Sequence, residues 1–349
     1  MKKLISRILL STSILTTTTP IFACSELNHN FKNGLGLYSA RTMDSFIDLK
    51  PNLSIYPRGT KETGGLDKNP LNWTDKYGYV SVDETNLYHI TAEGINEKGL
   101  SAHLLYFDSM QQPERNENKK GINGFAWVRY ILGNFATIQE VEDSLKNYQI
   151  YTPKIKIKGK EITLPIHYSI EDAQGNSAVI EYSKGKIKIH KDIKVITNDP
   201  SYNKQIDHLN AIKQTNLYNI DMIPGGAKSE NRFVRASFIS ENIADADNAN
   251  QAVNYMFAAA DSVSVPFVKD YKNVDFTEED VEDRWPTQWK SVTSIKDKKL
   301  YISDVLVGNR IYVDLNKANL SKGQPIRTIS VMDDTLTGDI TNKMNIKEA

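Results

Sequence analysis

A single cysteine, Cys24, stands directly behind a 23-residue opening segment, and this placement constrains the chain more than any other feature of its 349 residues. The segment starts with bases (Lys2, Lys3, Arg7), passes through an apolar run from Ile8 to Leu15, and leaves through four threonines to Ala23. That is the layout of a removable secretory leader, and the run is too short and too polar to anchor in a bilayer. A lone thiol on an exported chain has no internal disulfide partner, so it is reactive, modified or incidental.

Cleavage after Ala23 would leave a thiol and a free α-amine on one Cα. A free cysteine titrates near ~8.5 and an α-amine near ~7.7–8.0, so the amine can take the thiol proton close to neutrality. This pairing is the chemistry of an N-terminal-nucleophile hydrolase. Two other readings stay open on Cys24 alone. Ile21-Phe22-Ala23-Cys24 also resembles a lipoprotein cleavage site, where the sulfur would be acylated and the chain would be a tethered, non-enzymatic envelope protein. The third is a cysteine that lies near a cleavage point without a role.

With 40% hydrophobic and 25% charged residues the composition is that of a globular chain. Removal of residues 1–23 takes away three bases and no acid, leaving no basic excess for a nucleic-acid partner. No later stretch is long and apolar enough for stable membrane insertion. Neither a repeat nor a biased linker divides the chain, so residues 24–349 are read as one catalytic domain.

Turn signals then order the strands. Asn33-Gly34 closes a hairpin in which Cys24–Asn28 pairs with Leu35–Arg41, carrying Arg41 back towards Cys24, where a guanidinium would favour the thiolate. Asp44 follows three residues on and could accept from the thiol or the amine. Asn96-Glu97-Lys98-Gly99 separates two apolar runs and places Asn96 at a strand end; Asn198, before Asp199-Pro200, ends a meander running from His167. Either asparagine could aim an N–H at a developing oxyanion. Helices are predicted over 124–135, from Thr137 with its capping box, over 203–219, from Ser229 with Arg232 and Arg235, and over 244–263. Strands return over 288–295, 300–305 and 310–315. Strands at both ends with helices between predict two sheets face to face, covered by helices. His29, His89, His103, His167, His190 and His208 have no paired metal-ligand spacing, and no cofactor motif is present.

Set side by side in order, Cys24, Arg41-Thr42-Met43-Asp44, Asn96-Glu97-Lys98-Gly99-Leu100, Thr197-Asn198-Asp199-Pro200 and Asn231-Arg232-Phe233-Val234-Arg235 resemble the choloylglycine hydrolase family of bile salt hydrolases and penicillin V acylases. The resemblance runs from Cys24 to about Asn316. It implies an α+β, four-layer αββα sandwich of two antiparallel sheets, with Cys24 as nucleophile, Arg41 tuning it and Asp44 bonding the thiol or amine. It also implies that Asn96 and Asn198 stabilise the tetrahedral intermediate, that Arg232 completes the polar network and that Arg235 is structural. A homotetramer in the Gram-negative periplasm is what the family and the leader together lead one to expect. Many relatives have a tryptophan after the aspartate, whereas Asp44 is followed by Ser45-Phe46, which bears on the pocket. The implied reaction is hydrolysis of a linear amide: a phenoxyacyl amide, a bile salt conjugate or an N-acyl homoserine lactone. Trp73, Tyr106, Phe107 and Trp127 are candidate pocket walls, with core packing as the competing role.

Overall fold

The computed structural model describes residues 22–84, 90–157, 160–269, 271 and 285–347. All of the expected leader but its last two residues lies outside these ranges, as does His89. Two large sheets form among the described residues. The seven-stranded sheet runs, edge to edge, Val195–Ile196, Phe22–Phe31, Gly36–Ser45, Thr287–Ser294, Lys299–Asp304, Ile311–Asp314 and Gly338–Asp339. In the nine-stranded sheet the order is Lys186–Lys191, Ser177–Ser183, Ile166–Glu171, Ser101–Tyr106, Ile90–Asn96, Tyr79–Glu84, Pro51–Tyr56, Arg327–Ser330 and Asn345–Ile346. Every neighbouring pair is antiparallel except Ile311–Asp314 with Gly338–Asp339.

The sheets pack face to face and helices cover their outer faces. Helix α1 (Gly124–Asn134) lies on the nine-stranded sheet, while α4 (Ser229–Asn242) and α5 (Ala249–Val263) lie on the seven-stranded one. This is the αββα sandwich expected from the sequence. On α5 the apolar residues recur at helical spacing, Val253, Met256, Phe257, Ala260 and Val263, and they bury against Leu27, Phe31, Tyr38, Ala40 and Val292. Beneath α1, Gly94 lets the helix come close: a Cβ there would stand 2.4 Å from the Val80 carbonyl oxygen and 2.6 Å from Leu132 Cδ1. Helix α2 (Ile138–Ser144) opens as its capping box predicts, Thr137 Oγ1 accepting from the Glu140 amide at 3.2 Å. The remaining helix, α3 (Tyr202–Lys213), ends six residues short of the sequence-based range.

Strand alternation decides what each layer receives, because successive side chains leave a strand on opposite faces. From the first strand Leu27 and Phe31 turn to the helices, and Cys24, Glu26 and Asn28 turn into the space between the sheets. From the second, Tyr38 and Ala40 go outward while Arg41 and Met43 go inward. Among the elements not anticipated are the strand Tyr79–Glu84, the hairpin Lys154–Ile157 with Lys160–Thr163, and the tail strand Arg327–Ser330, which pairs with Asn52–Ile55. Short and half-exposed, the tail strand has no run of alternating apolar residues to announce it.

Candidate active site

The first hairpin sets the site. Asn33 and Gly34 turn with φ of 58° and 76°, and the register pairs Cys24 with Met43 and Glu26 with Arg41. Arg41 is therefore the diagonal inward neighbour of Cys24, and its Nη2 reaches the sulfur at 3.4 Å. The guanidinium is held from the opposite sheet. Nη1 donates to the Ala92 carbonyl at 3.0 Å, Nη2 to the Leu104 carbonyl, and Nη1 lies 3.5 Å from Glu93 Oε1. Burial pushes the Cys24 thiol above its ordinary range; Arg41 and Arg232 pull it down and Asp44 pushes it up. The expected effect of Arg41 is thus present in sign, but desolvation outweighs it with the chain intact ahead of Cys24.

The backbone of Cys24 is gripped on both sides. Its nitrogen donates to Asn198 Oδ1 at 2.9 Å, and its carbonyl accepts from Arg232 Nη1 at 2.8 Å. Asn198 is delivered by Val195–Ile196, which pairs with Glu26–Leu27, and its Nδ2 donates to the Tyr106 carbonyl at 3.0 Å. From α4, Arg232 also donates Nη2 to Asn198 Oδ1 at 2.8 Å, Nη1 to Ser25 Oγ and Nε to the Ala227 carbonyl at 2.7 Å. Asp44 accepts from Thr287 Oγ1 at 2.6 Å through Oδ1, while its buried Oδ2, 3.9 Å from Arg232 Nη1, makes no hydrogen bond. Burial raises Asp44 to about 6 against the pull of Arg232 and Thr287. In the intact chain the strand runs on through Ala23, opposite Asp44, so the Cys24 nitrogen is a peptide nitrogen. Its lone pair is delocalised into the amide and is no base.

Five of the six predicted residues therefore converge: Cys24, Arg41, Asp44, Asn198 and Arg232. Asn96 does not. Its Nδ2 donates to the Leu132 and Phe135 carbonyls at 2.8 and 2.7 Å, and its Oδ1 accepts from the amides of Lys98 and Leu100 at 2.9 and 3.0 Å. Two residues along the strand from Gly94, it faces α1, on the side of the nine-stranded sheet away from Cys24. The physical reason is parity: Glu93, three positions earlier, takes the inward face, so Asn96 takes the outward one. Its role is to tie the hairpin turn to the end of α1. Arg235 is structural as expected, donating to the Ser262 carbonyl at 2.6 Å and the Gly226 carbonyl at 3.2 Å. Of the pocket candidates, Trp127 is a core residue of α1 itself, donating to Tyr148 Oη at 3.1 Å, and Trp73 packs edge-on against Tyr130 of α1. Phe107 stacks on His167, and Tyr106 alone touches the site, through its carbonyl.

Sequence reasoning missed the ionisable layer behind the site. Glu26, Glu93, His103 and Glu171 are all fully or almost fully buried between the sheets. His103 Nδ1 lies 3.3 Å from Glu93 Oε2, and its Nε2 lies 3.2 Å from Glu171 Oε2. Glu26, His103 and Glu171 converge closely, one side-chain atom of each lying within 4.8 Å of the others. The signal was available: Ala-Glu-Gly and Ala-His-Leu place a charge inside otherwise apolar runs, which a buried strand tolerates only with partners.

An αββα sandwich that presents a cysteine at the head of an inner strand is the architecture of an N-terminal-nucleophile hydrolase, and comparison with known proteins gives the family. The model of the linear amide C-N hydrolases, choloylglycine hydrolase family, matches residues 24–335, and the chain belongs to that family. It is 32% identical over 304 residues to a penicillin V acylase of Pectobacterium atrosepticum, covering 81% of this chain and 78% of that protein. To a bile salt hydrolase/transferase of Clostridium perfringens it is 26% identical over 329 residues, 87% of this chain and 96% of that one. The solved penicillin V acylase from Agrobacterium tumefaciens superposes with a TM-score of 0.81 at 28% identity, covering 93% of this chain and 98% of that chain.

Proposed function

We propose that the chain is cut after Ala23 during export and then hydrolyses a linear amide with a phenoxyacyl-type acyl group, with Cys24 as nucleophile. One observation carries the reading: the sulfur and nitrogen of the same residue are each already held, Sγ by Arg41 at 3.4 Å and N by Asn198 at 2.9 Å. Cutting the Ala23–Cys24 bond turns the held nitrogen into an amine with a lone pair. That amine takes the thiol proton as sulfur attacks the carbonyl, then gives it to the leaving nitrogen as the C–N bond breaks. Water adds to the resulting thioester, releasing the acid and restoring the thiol. One Nδ2 hydrogen of Asn198 goes to the Tyr106 carbonyl, and the second is the donor this reading assigns to the oxyanion. Asp44, paired in register with the departing Ala23, has its buried Oδ2 without a hydrogen bond, and this reading assigns it to accept from the new ammonium.

The direction of the sulfur favours a bare thiol over an acylated one, because Sγ points between the sheets beside Arg41 and is fully buried there, away from any membrane surface. The substrate reading rests on the penicillin V acylase being the nearer in sequence of the two curated relatives compared, and on the superposition with a solved penicillin V acylase. Release of phenoxyacetate from penicillin V, set against release of cholate from glycine- and taurine-conjugated bile salts, tests it. Faster bile salt turnover would replace the acyl class and leave the nucleophile standing.

A further inference from the structure

Behind Arg41 the buried charges alternate in sign across the middle of the sandwich. Glu93 lies against Arg41 and accepts from Trp289 Nε1 at 3.1 Å and Ser291 Oγ at 2.6 Å. His103 stands between Glu93 and Glu171, with Glu26 Oε2 3.9 Å from its Nδ1. Glu171 is completed by Asn28 Nδ2 at 3.2 Å and by Ser101 Oγ, and Glu26 by Ser169 Oγ at 2.5 Å. The groups facing His103 are therefore Glu26 from the first strand, Glu93 from Ile90–Asn96 and Glu171 from Ile166–Glu171, with Arg41 beyond Glu93. Of these groups only Arg41 touches the reacting atoms, its Nη2 lying 3.4 Å from Cys24 Sγ.

We propose that His103 is a positioning residue for Cys24: as an imidazolium between Glu93 and Glu171 it neutralises the Glu93 carboxylate, leaving the Arg41 guanidinium to act on the Cys24 sulfur. The proposal rests on Cys24 being the nucleophile. Burial alone would favour the neutral ring, but Glu26, Glu171 and Glu93 outweigh it and hold His103 up at about 10. Glu93 is drawn down to about 2 by Arg41 and His103 in spite of its burial. Burial and the adjacent Glu171 raise Glu26, so of the three carboxyls around His103 it is the one that most readily takes a proton. With that proton bound, two cations face two carboxylates. Without the charge on His103, Glu93 is left to compete with the sulfur for Arg41, and an uncompensated carboxylate lies near the thiolate. Both effects disfavour the thiolate.

The test uses the processed protein and reads Cys24 without any substrate, as the pH dependence of its alkylation by iodoacetamide followed by intact mass. His103→Asn should raise the midpoint by about one unit, a roughly tenfold slower reaction below it. Glu93→Gln, which removes the opposing charge, should lower it, and the double variant should return to within a few tenths of the parent. A structural tie between the sheets would move stability in all three and leave the midpoint in place, and that result overturns the proposal, as does a double variant shifted as far as His103→Asn. Should His103→Asn fail to fold, NMR of the parent decides: both ring N–H signals of His103 persisting to pH 8 sustain the imidazolium, and a ring neutral at pH 7 overturns it. Inactivity towards every amide tested would sink the functional reading alone, since the alkylation arm does not depend on it.

Discussion

The two faces of the seven-stranded sheet are furnished from the same strands yet hold opposite kinds of material. Towards α4 and α5 lie Leu27, Phe31 and Val292, which meet Met256 and Phe257 of α5 in an apolar layer held chiefly by burial. Towards the other sheet lie Cys24, Glu26 and Arg41, meeting Glu93, His103 and Glu171. Leu27 stands between Glu26 and Asn28 in sequence, so one step along the chain separates the two regimes. A buried ion pair seldom adds stability over well-packed apolar residues, because desolvation offsets the attraction. The helix-side layer is thus explained by packing, whereas the inner layer needs a chemical reason, and the sulfur beside Arg41 supplies one.

That contrast can be broken at several points. The largest expected effect is Cys24→Ala, which should lower amide hydrolysis by about 10⁴-fold or more while the melting temperature stays close to the parent. Asn198→Ala should lower kcat by about 10²–10³, the usual loss for an oxyanion donor. The comparison with Asn96 sharpens this one. Asn96→Ala strips partners from two buried carbonyls and two turn amides, so it should cost about 2–3 kcal/mol in urea unfolding and leave kcat of the folded protein within a few-fold. Equal kcat losses in the two variants, with Asn96→Ala fully stable, would put Asn96 back in the site.

Phe257→Ala probes the apolar layer and should cost about 3–5 kcal/mol of stability with kcat/KM nearly unchanged. The smallest effect concerns pH. His103 is raised in the folded chain to about 10 from an unfolded value near ~6.5, so its contribution is fully present below the unfolded value and is lost as pH rises through the folded one. His103→Asn should therefore lie further below the parent at pH 7 than at pH 10 in urea midpoints. A gap that widens with pH would contradict the charge assigned to the ring.

Much of this was legible in the sequence, for reasons that can be named. Asn33-Gly34 fixed the first hairpin, alternation then fixed which residues travel with Cys24, and Thr137 with Glu140 fixed a helix start. The family motifs located Asn198 and Arg232, which are 174 and 208 residues from Cys24 and touch its backbone. What could not be read was facing. Asn96 and Asn198 look alike as polar residues at strand ends, and only the sheet order and the position of α1 separate them. The insertion of Thr287–Ser294 beside the first hairpin, and of Arg327–Ser330 into the opposite sheet, depends on long-range pairing that no local pattern encodes.

The most direct test of the account is the mass of the first peptide of the exported, catalytically active protein. We expect it to begin at Cys24 with an unmodified amine and thiol, and to lose its alkylation by iodoacetamide and its activity together in Cys24→Ala. An active protein that begins elsewhere, or that carries acyl chains on Cys24, would contradict it.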